Sequence, residues 1–102
     1  MNKSIPDEVA EYFKNGLKKL KKVWTKEPYV LYAEYEDGII KSSDLTDELT
    51  GVMEVLKNYD LFKTVTIDEN GSIAWNTPNG SIDISKDNIY IYGKTVNDAK
   101  SN

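Results

Sequence analysis

The stretch that decides the fold runs from residue 29 to residue 43 and reads YVLYAEYEDGIIKSS. Its first half alternates between apolar and mixed positions, as a strand with one buried face does. The Asp37-Gly38 pair that follows is a strong hairpin signal, because glycine accepts the positive φ that a tight turn needs. The sequence therefore predicts a β-hairpin of strands 29–36 and 39–43. Its expected buried face consists of Tyr29, Leu31, Ala33 and Tyr35.

Two further turn signals lie downstream, at Asn70-Gly71 and at Pro78-Asn79-Gly80. They separate three short alternating segments, which we predict as strands over residues 64–68, 72–76 and 81–84. Trp75 falls in the middle one and is expected in the core. Upstream, Leu20, Lys22 and Trp24 also alternate and predict a strand at about 20–26. Trp24 is expected buried or half-buried at the edge of the core.

Helical spacing appears in two places. Ser4 can cap a helix at about 5–18, whose apolar residues recur every three or four positions. Thr46 can cap a central helix that stops near Asn58. The apolar stripe of this helix is Leu49, Val52, Met53 and Leu56. Residues 89–92 fit either a short strand or one helical turn.

Together these elements predict an α+β fold of two layers. An antiparallel sheet of about five strands carries the N-terminal helix and the central helix on one face. The length of 102 residues fits a single domain. We expect a helical extension at 1–19, the α+β core at 20–93 and a frayed tail at 94–102.

The chain contains no His, no Cys and no Arg. These side chains serve most often in acid–base catalysis, nucleophilic attack and anion binding. We therefore expect a non-enzyme without metal or cofactor, and a cytoplasmic location, since no apolar leader or membrane-spanning run is present. The catalytic alternative uses Glu34, Glu36 or Asp37 and requires a carboxylate of raised pKa in a concave pocket.

Charge is distributed unevenly. Residues 1–26 carry a net charge of +4, whereas residues 27–102 carry −8. The acidic part predicts a docking surface for a basic protein partner. The candidate partner-binding residues are Glu34, Glu36, Asp37, Asp47, Glu48, Asn76 and Asn79.

The basic segment gives an alternative in which Lys14, Lys18, Lys21 and Lys22 bind nucleic acid. The acidic remainder, the absence of Arg and the lack of a helix-turn-helix signal do not favour nucleic acid as a partner. Free strand edges are compatible with a homodimer.

An ordered set of short motifs covers about 60% of the chain. In chain order they are Tyr29-x-Leu31-x-Ala33-x-Tyr35-x-Asp37-Gly38, Asp44-Leu45, Val55-Leu56 with Leu61-Phe62 and Val65, Gly71-x-Ile73-x-Trp75, and Pro78-Asn79-Gly80 with Asp83-Ile84 and Tyr90. This set resembles the small bacterial domain-of-unknown-function 2442 family. The chain departs from that pattern by inserting Asn76 and Thr77 after the Trp and by carrying an atypical helix at 5–18.

The resemblance implies a small α+β domain without established catalytic residues. Members of that family often lie beside a small partner gene in arrangements like toxin–antitoxin pairs, and some are fused to a helix-turn-helix domain that this sequence lacks. The leading hypothesis is thus a non-catalytic protein-binding module with an antitoxin-like or inhibitory role.

Overall fold

The computed structural model describes residues 18–96. Most of the helix predicted at 5–18 lies outside this range, and Lys18 itself is not helical. The strands are β1 Leu20–Lys26, β2 Val30–Tyr35, β3 Ile40–Asp44, β4 Thr66–Ile67, β5 Ile73–Thr77, β6 Gly80–Ile84 and β7 Lys94–Thr95. The helices are two 3₁₀ segments, Thr46–Glu48 and Gly51–Lys57, and two short α-helices, α1 Tyr59–Phe62 and α2 Lys86–Tyr92.

The strands form two antiparallel sheets, ordered β1-β2-β3-β7 and β4-β5-β6. The α+β class is confirmed, but the single sheet of about five strands is replaced by sheets of four and three strands. The two sheets come together where β1 lies beside β4 without pairing to it. Since β4 has only two residues, it offers little backbone for a ladder that would join the sheets.

The first hairpin forms as the alternation predicts. Leu31, Ala33 and Tyr35 are fully buried, and β2 pairs with β3 from Val30↔Asp44 to Glu34↔Ile40. Gly38 occupies the turn with φ of 91°, a conformation that few other residues adopt readily. The buried face of β2 therefore fixes the register of this sheet.

Trp75 is the largest side chain of the buried core. Its ring stacks on Phe62 with centroids 5.6 Å apart, and its Nε1 donates to the Phe62 carbonyl at 2.7 Å. Tyr29 meets the Phe62 ring edge-on at 5.6 Å. The core position predicted for Trp75 is confirmed, and it joins β5 to α1.

The central helix differs from its prediction. Thr50 is extended and Gly51 has φ of 60°, so the chain breaks between the two 3₁₀ segments. Because a 3₁₀ helix has three residues per turn, its apolar stripe is narrower than the predicted α-helical one. Leu49 and Leu56 are buried as predicted, but Val52 is 81% exposed.

At the C-terminal end of the described chain, residues 89–92 take the helical one of the two predicted alternatives, whereas Lys94 and Thr95 differ from the prediction. Residues 89–92 belong to helix α2, whose N-terminus is capped by the Ser85 hydroxyl accepting from the Asn88 amide at 3.1 Å. Lys94 and Thr95 were expected in a frayed tail, yet they pair with β3 as strand β7. The amide of Val96 extends this pairing by donating to the Ile40 carbonyl at 2.9 Å.

Candidate functional site

A groove of about 780 Å³ separates the second 3₁₀ segment from the β5–β6 hairpin. Met53, Val55 and Ile82 supply apolar lining, and all three are half-buried. Val52 stands at the rim and is 81% exposed. Val52 therefore adds exposed apolar surface to the apolar lining of the groove, and contiguous apolar surface of this kind marks interaction sites.

A second groove of about 350 Å³ continues from the first, since Met53 lines both. Its apolar lining includes Leu45, Ile84 and Ile89, and Tyr92 of α2 stands 64% exposed beside them. We refer to the two together as the apolar groove. It follows β6, a strand at the edge of its sheet, where alternate backbone groups are left without a ladder partner.

The charges around the apolar groove have one sign. Among the described residues that line it there are three carboxylates, Glu48, Glu54 and Asp83, and no lysine. Such a groove favours a ligand that combines apolar side chains with positive charge. Two of the sequence-predicted residues lie here: Glu48 lines the second part and Asn79 the first.

The other predicted residues lie elsewhere on the fold. Asp47 is exposed on the first 3₁₀ segment beside Glu48. Asn76 is exposed on β5, with its Oδ1 3.3 Å from the Ser81 hydroxyl. Glu34 lies on β2 with a carboxylate oxygen 3.8 Å from Lys21 Nζ. Glu36 follows β2 and is exposed. The seven residues therefore do not converge on one surface.

Asp37 is committed to contacts within the chain. Its Oδ1 accepts from the Ile39 amide at 2.9 Å, and its Oδ2 accepts from the Tyr90 hydroxyl at 2.7 Å. Lys18 Nζ lies 3.7 Å from the same Oδ2. Burial raises the pKa of the Asp37 carboxyl, but the Tyr90 and Ile39 hydrogen bonds and the Lys18 charge outweigh it. The net pKa lies below the ordinary value, which is opposite to what the catalytic alternative requires.

Tyr90 connects this carboxylate to two lysines. Lys18 and Lys41 place their Nζ atoms 5.9 and 5.3 Å from the centre of its ring. Burial lowers the pKa of Lys41, and the nearby Asp37 charge partly opposes this. Lys41 also donates to the Thr95 hydroxyl at 2.8 Å. The cluster ties α2 and β7 to the β2–β3 turn, which is a structural role.

Two of the four predicted lysines lie on strand β1, within the strand predicted at about 20–26. Lys14 lies outside the described residues, Lys18 precedes β1, and Lys21 and Lys22 belong to β1. Lys22 Nζ lies 5.1 Å from the centre of the Trp24 ring. Trp24 in turn stacks on Tyr32 with an interplanar angle of 3° and centroids 5.5 Å apart. Trp24 is half-buried, which is one of the two positions expected for it.

Residues 18–96 also bear on two other classes of site, metal centres and membrane spans. Within this range no group of three or more His, Cys, Asp or Glu side chains is placed to hold a metal ion. No helix in the same range is both long and apolar enough to cross a membrane.

No family model matches the chain, and neither the curated proteins nor the solved structures contain a significant match to it. The resemblance to the domain-of-unknown-function 2442 family is thus a prediction that rests on the ordered motifs.

Most groove residues were missed by the sequence reasoning. Val52 and Met53 were predicted in a buried helical stripe. Of residues 75–84 only Asn76 and Asn79 were named as candidates, and Tyr92 was not a candidate. One signal was available, because Gly51 directly precedes Val52 and disfavours an α-helix interior. The meeting of the second 3₁₀ segment with β6 has no local sequence signature.

Proposed function

We propose that this chain is a non-catalytic protein-binding module, with an antitoxin-like or inhibitory role, that holds a basic and partly apolar segment of its partner in the apolar groove. The observation that carries the proposal is Val52. It is 81% exposed and borders a groove in which the described carboxylates have no lysine among them. Apolar contacts would supply affinity, and Glu48, Glu54 and Asp83 would supply the preference for a basic ligand.

The open edge of β6 supports the same assignment. An extended segment in the groove runs alongside a strand whose outer backbone groups can accept a further partner. The ordered motifs also resemble a family whose members often lie beside a small partner gene. Both arguments favour a macromolecular partner over a small-molecule substrate.

The test is an affinity capture from the native cell, at low and at raised salt, with wild-type protein and the Val52→Lys variant. We expect one stoichiometric protein partner with the wild type, and binding weakened about tenfold or more by the variant. The new lysine removes an apolar contact and repels a basic ligand. Because Val52 is exposed, the fold is retained.

Asp60→Lys is the matched control, since Asp60 is exposed on α1 and does not line the groove. A partner captured equally by wild type, Val52→Lys and Asp60→Lys would place the interface elsewhere. Absence of any stable protein partner at both salt concentrations would overturn the proposal. Self-association lost only in Val52→Lys would identify the occupant as a second copy of the chain.

A further inference from the structure

The face of the four-stranded sheet opposite the core carries a row of aromatic and basic side chains. Leu31 and Ala33 point into the core, so Tyr32 between them points outward. Trp24 lies directly opposite Tyr32 on β1 and shares its face. The row continues across the sheet, because Tyr32 pairs with Ser42 and Ser42 pairs with Lys94.

Lysines border this aromatic pair. Lys22, Trp24 and Lys26 are two residues apart along β1, so their side chains stand on one face at intervals of roughly 7 Å. Residues 18–26 contain five lysines and no acidic residue. We name the set Lys22, Trp24, Lys26, Tyr32 and Lys94 the lysine–aromatic face.

Two described carboxylates lie on this face, and each has a partner within the chain. Glu34, opposite Lys22, lies 3.8 Å from the Lys21 ammonium. Asp44 accepts from the amide and the hydroxyl of Thr46, at 3.0 and 2.6 Å. Both carboxylates keep their charge, but the three lysines of the lysine–aromatic face, Lys22, Lys26 and Lys94, outnumber them. The described part of this face therefore has a net positive charge, although the whole chain has a net charge of −4.

We infer that the lysine–aromatic face binds single-stranded nucleic acid. Parallel aromatic rings accept bases of any sequence by stacking, and ammonium groups beside them neutralise phosphates. A solvent-facing sheet with stacking residues is a common platform for unpaired bases. This site is independent of the apolar groove and of the protein partner proposed there.

The geometry also suggests how the face changes on binding. In the free protein Lys22 Nζ lies 5.1 Å from the Trp24 ring centre, on a ring whose neighbour is Tyr32. An entering base takes the place of the ammonium over the ring, and the released ammonium pairs with a phosphate. A duplex cannot do this, because its bases are already stacked and paired.

Trp24 provides a direct readout. The chain has two tryptophans, and Trp75 is fully buried with its Nε1 bonded inside the core. Quenching of tryptophan fluorescence by a stacked base therefore reports on Trp24. The experiment titrates the full chain with an oligothymidylate of about 15 nucleotides at several salt concentrations.

We expect saturable quenching, with an affinity that falls steeply with salt, by a log–log slope of about −0.7 for each phosphate neutralised. Trp24→Ala should weaken binding about tenfold or more, followed for this variant by the anisotropy of a labelled oligonucleotide, and Trp24→Phe should retain part of it. Lys22→Glu with Lys26→Glu should weaken binding and flatten the salt dependence. Lys57→Glu is the matched control, since Lys57 is exposed at the end of the second 3₁₀ segment.

Several outcomes would overturn the inference. These are no binding at low salt, unchanged binding by Trp24→Ala, equal affinity for a duplex of the same length, or quenching by phosphatidylserine vesicles and not by the oligonucleotide. Val52→Lys should bind the oligonucleotide as the wild type does. A protein that binds the oligonucleotide but captures no protein partner would contradict the groove proposal alone. A protein that captures a partner but does not bind the oligonucleotide would contradict the proposal for the lysine–aromatic face alone.

Discussion

The two tryptophans occupy different environments, Trp75 in the core and Trp24 on the outer face of the four-stranded sheet, and they show what an aromatic ring does in each. Trp75 is fully buried, stacked on Phe62, with its indole nitrogen satisfied by a backbone carbonyl. Trp24 is half-buried, stacked on Tyr32, with a lysine ammonium over its ring. The first ring holds two elements together, whereas the second keeps part of its surface exposed. Burial, rather than stacking, separates a residue that stabilises from one that can bind.

The largest effect is expected for Trp75→Ala. Removing a fully buried tryptophan leaves a cavity and an unpaired Phe62 carbonyl, which should cost about 3–5 kcal/mol of unfolding free energy. Urea unfolding followed by circular dichroism measures it. Trp75→Phe, which keeps a ring but no donor, should lose less. The comparison fails if Trp75→Ala is no less stable than Trp24→Ala.

A smaller loss is expected for Tyr35→Phe, on the buried face of β2. The Tyr35 hydroxyl donates to the Lys86 carbonyl at 2.7 Å and thereby holds the start of α2. Removing it should cost about 0.5–1.5 kcal/mol by urea unfolding. Tyr32→Phe makes the same chemical change on the other face of the strand and should stay within about 0.5 kcal/mol of wild type. Equal losses would contradict the assignment of the two faces.

Asp37 predicts a pH dependence. Its folded pKa lies below the ordinary value of 3.8, so its contribution is fully present above that pH and is lost as pH falls through the folded pKa. Asp37→Asn should lower stability at pH 7 by about 1 kcal/mol or less, because the site is partly exposed. The difference from wild type should shrink as pH falls below 3.8.

The measurement is the urea midpoint of both proteins from neutral to acidic pH. Asp44 has the same kind of pH dependence, because hydrogen bonds from the Thr46 hydroxyl and amide lower its pKa. Its contribution to stability is therefore also lost as the pH falls. Wild type will therefore show acid sensitivity from both groups, and Asp37→Asn should remove only part of it. Asp47→Asn is the control for a carboxylate on an exposed 3₁₀ segment. A difference that grows with acid would contradict the direction of the Asp37 shift.

A structural feature could be predicted from the sequence when the residues that cause it lie close together in the chain. The hairpin of β2 and β3 was predictable because alternation and a turn glycine specify it within 15 residues. The central helix was misjudged, because Gly51 and the three-residue period of a 3₁₀ helix move Val52 from the core to the surface. Two sheets in place of one depend on the shortness of β4, which alternation does not reveal.

The candidate sites were less predictable than the fold. The apolar groove needs residues 51–55 and 80–83 together, and no spacing in the sequence links them. Acidic residues were predicted to bind a partner, yet one of them, Asp37, is engaged by Tyr90, which is 53 positions away. The pairing of Trp24 with Tyr32 depends on the β1–β2 register, which the alternation of either strand alone does not fix.

A small effect on stability is also expected for Trp24→Ala. A cross-strand aromatic pair on a solvent-facing sheet contributes about 0.2–1 kcal/mol, because both rings keep water contact in the folded state. The same variant should lose about tenfold or more in affinity for single-stranded oligonucleotide. Urea unfolding and fluorescence anisotropy of a labelled oligonucleotide measure the two effects on one preparation. If the Trp24 ring serves binding, its removal should cause a large loss of affinity and a small loss of stability. If Trp24→Ala instead destabilises the protein by several kcal/mol, the pair is a structural contact, and the distinction drawn between the two tryptophans does not hold.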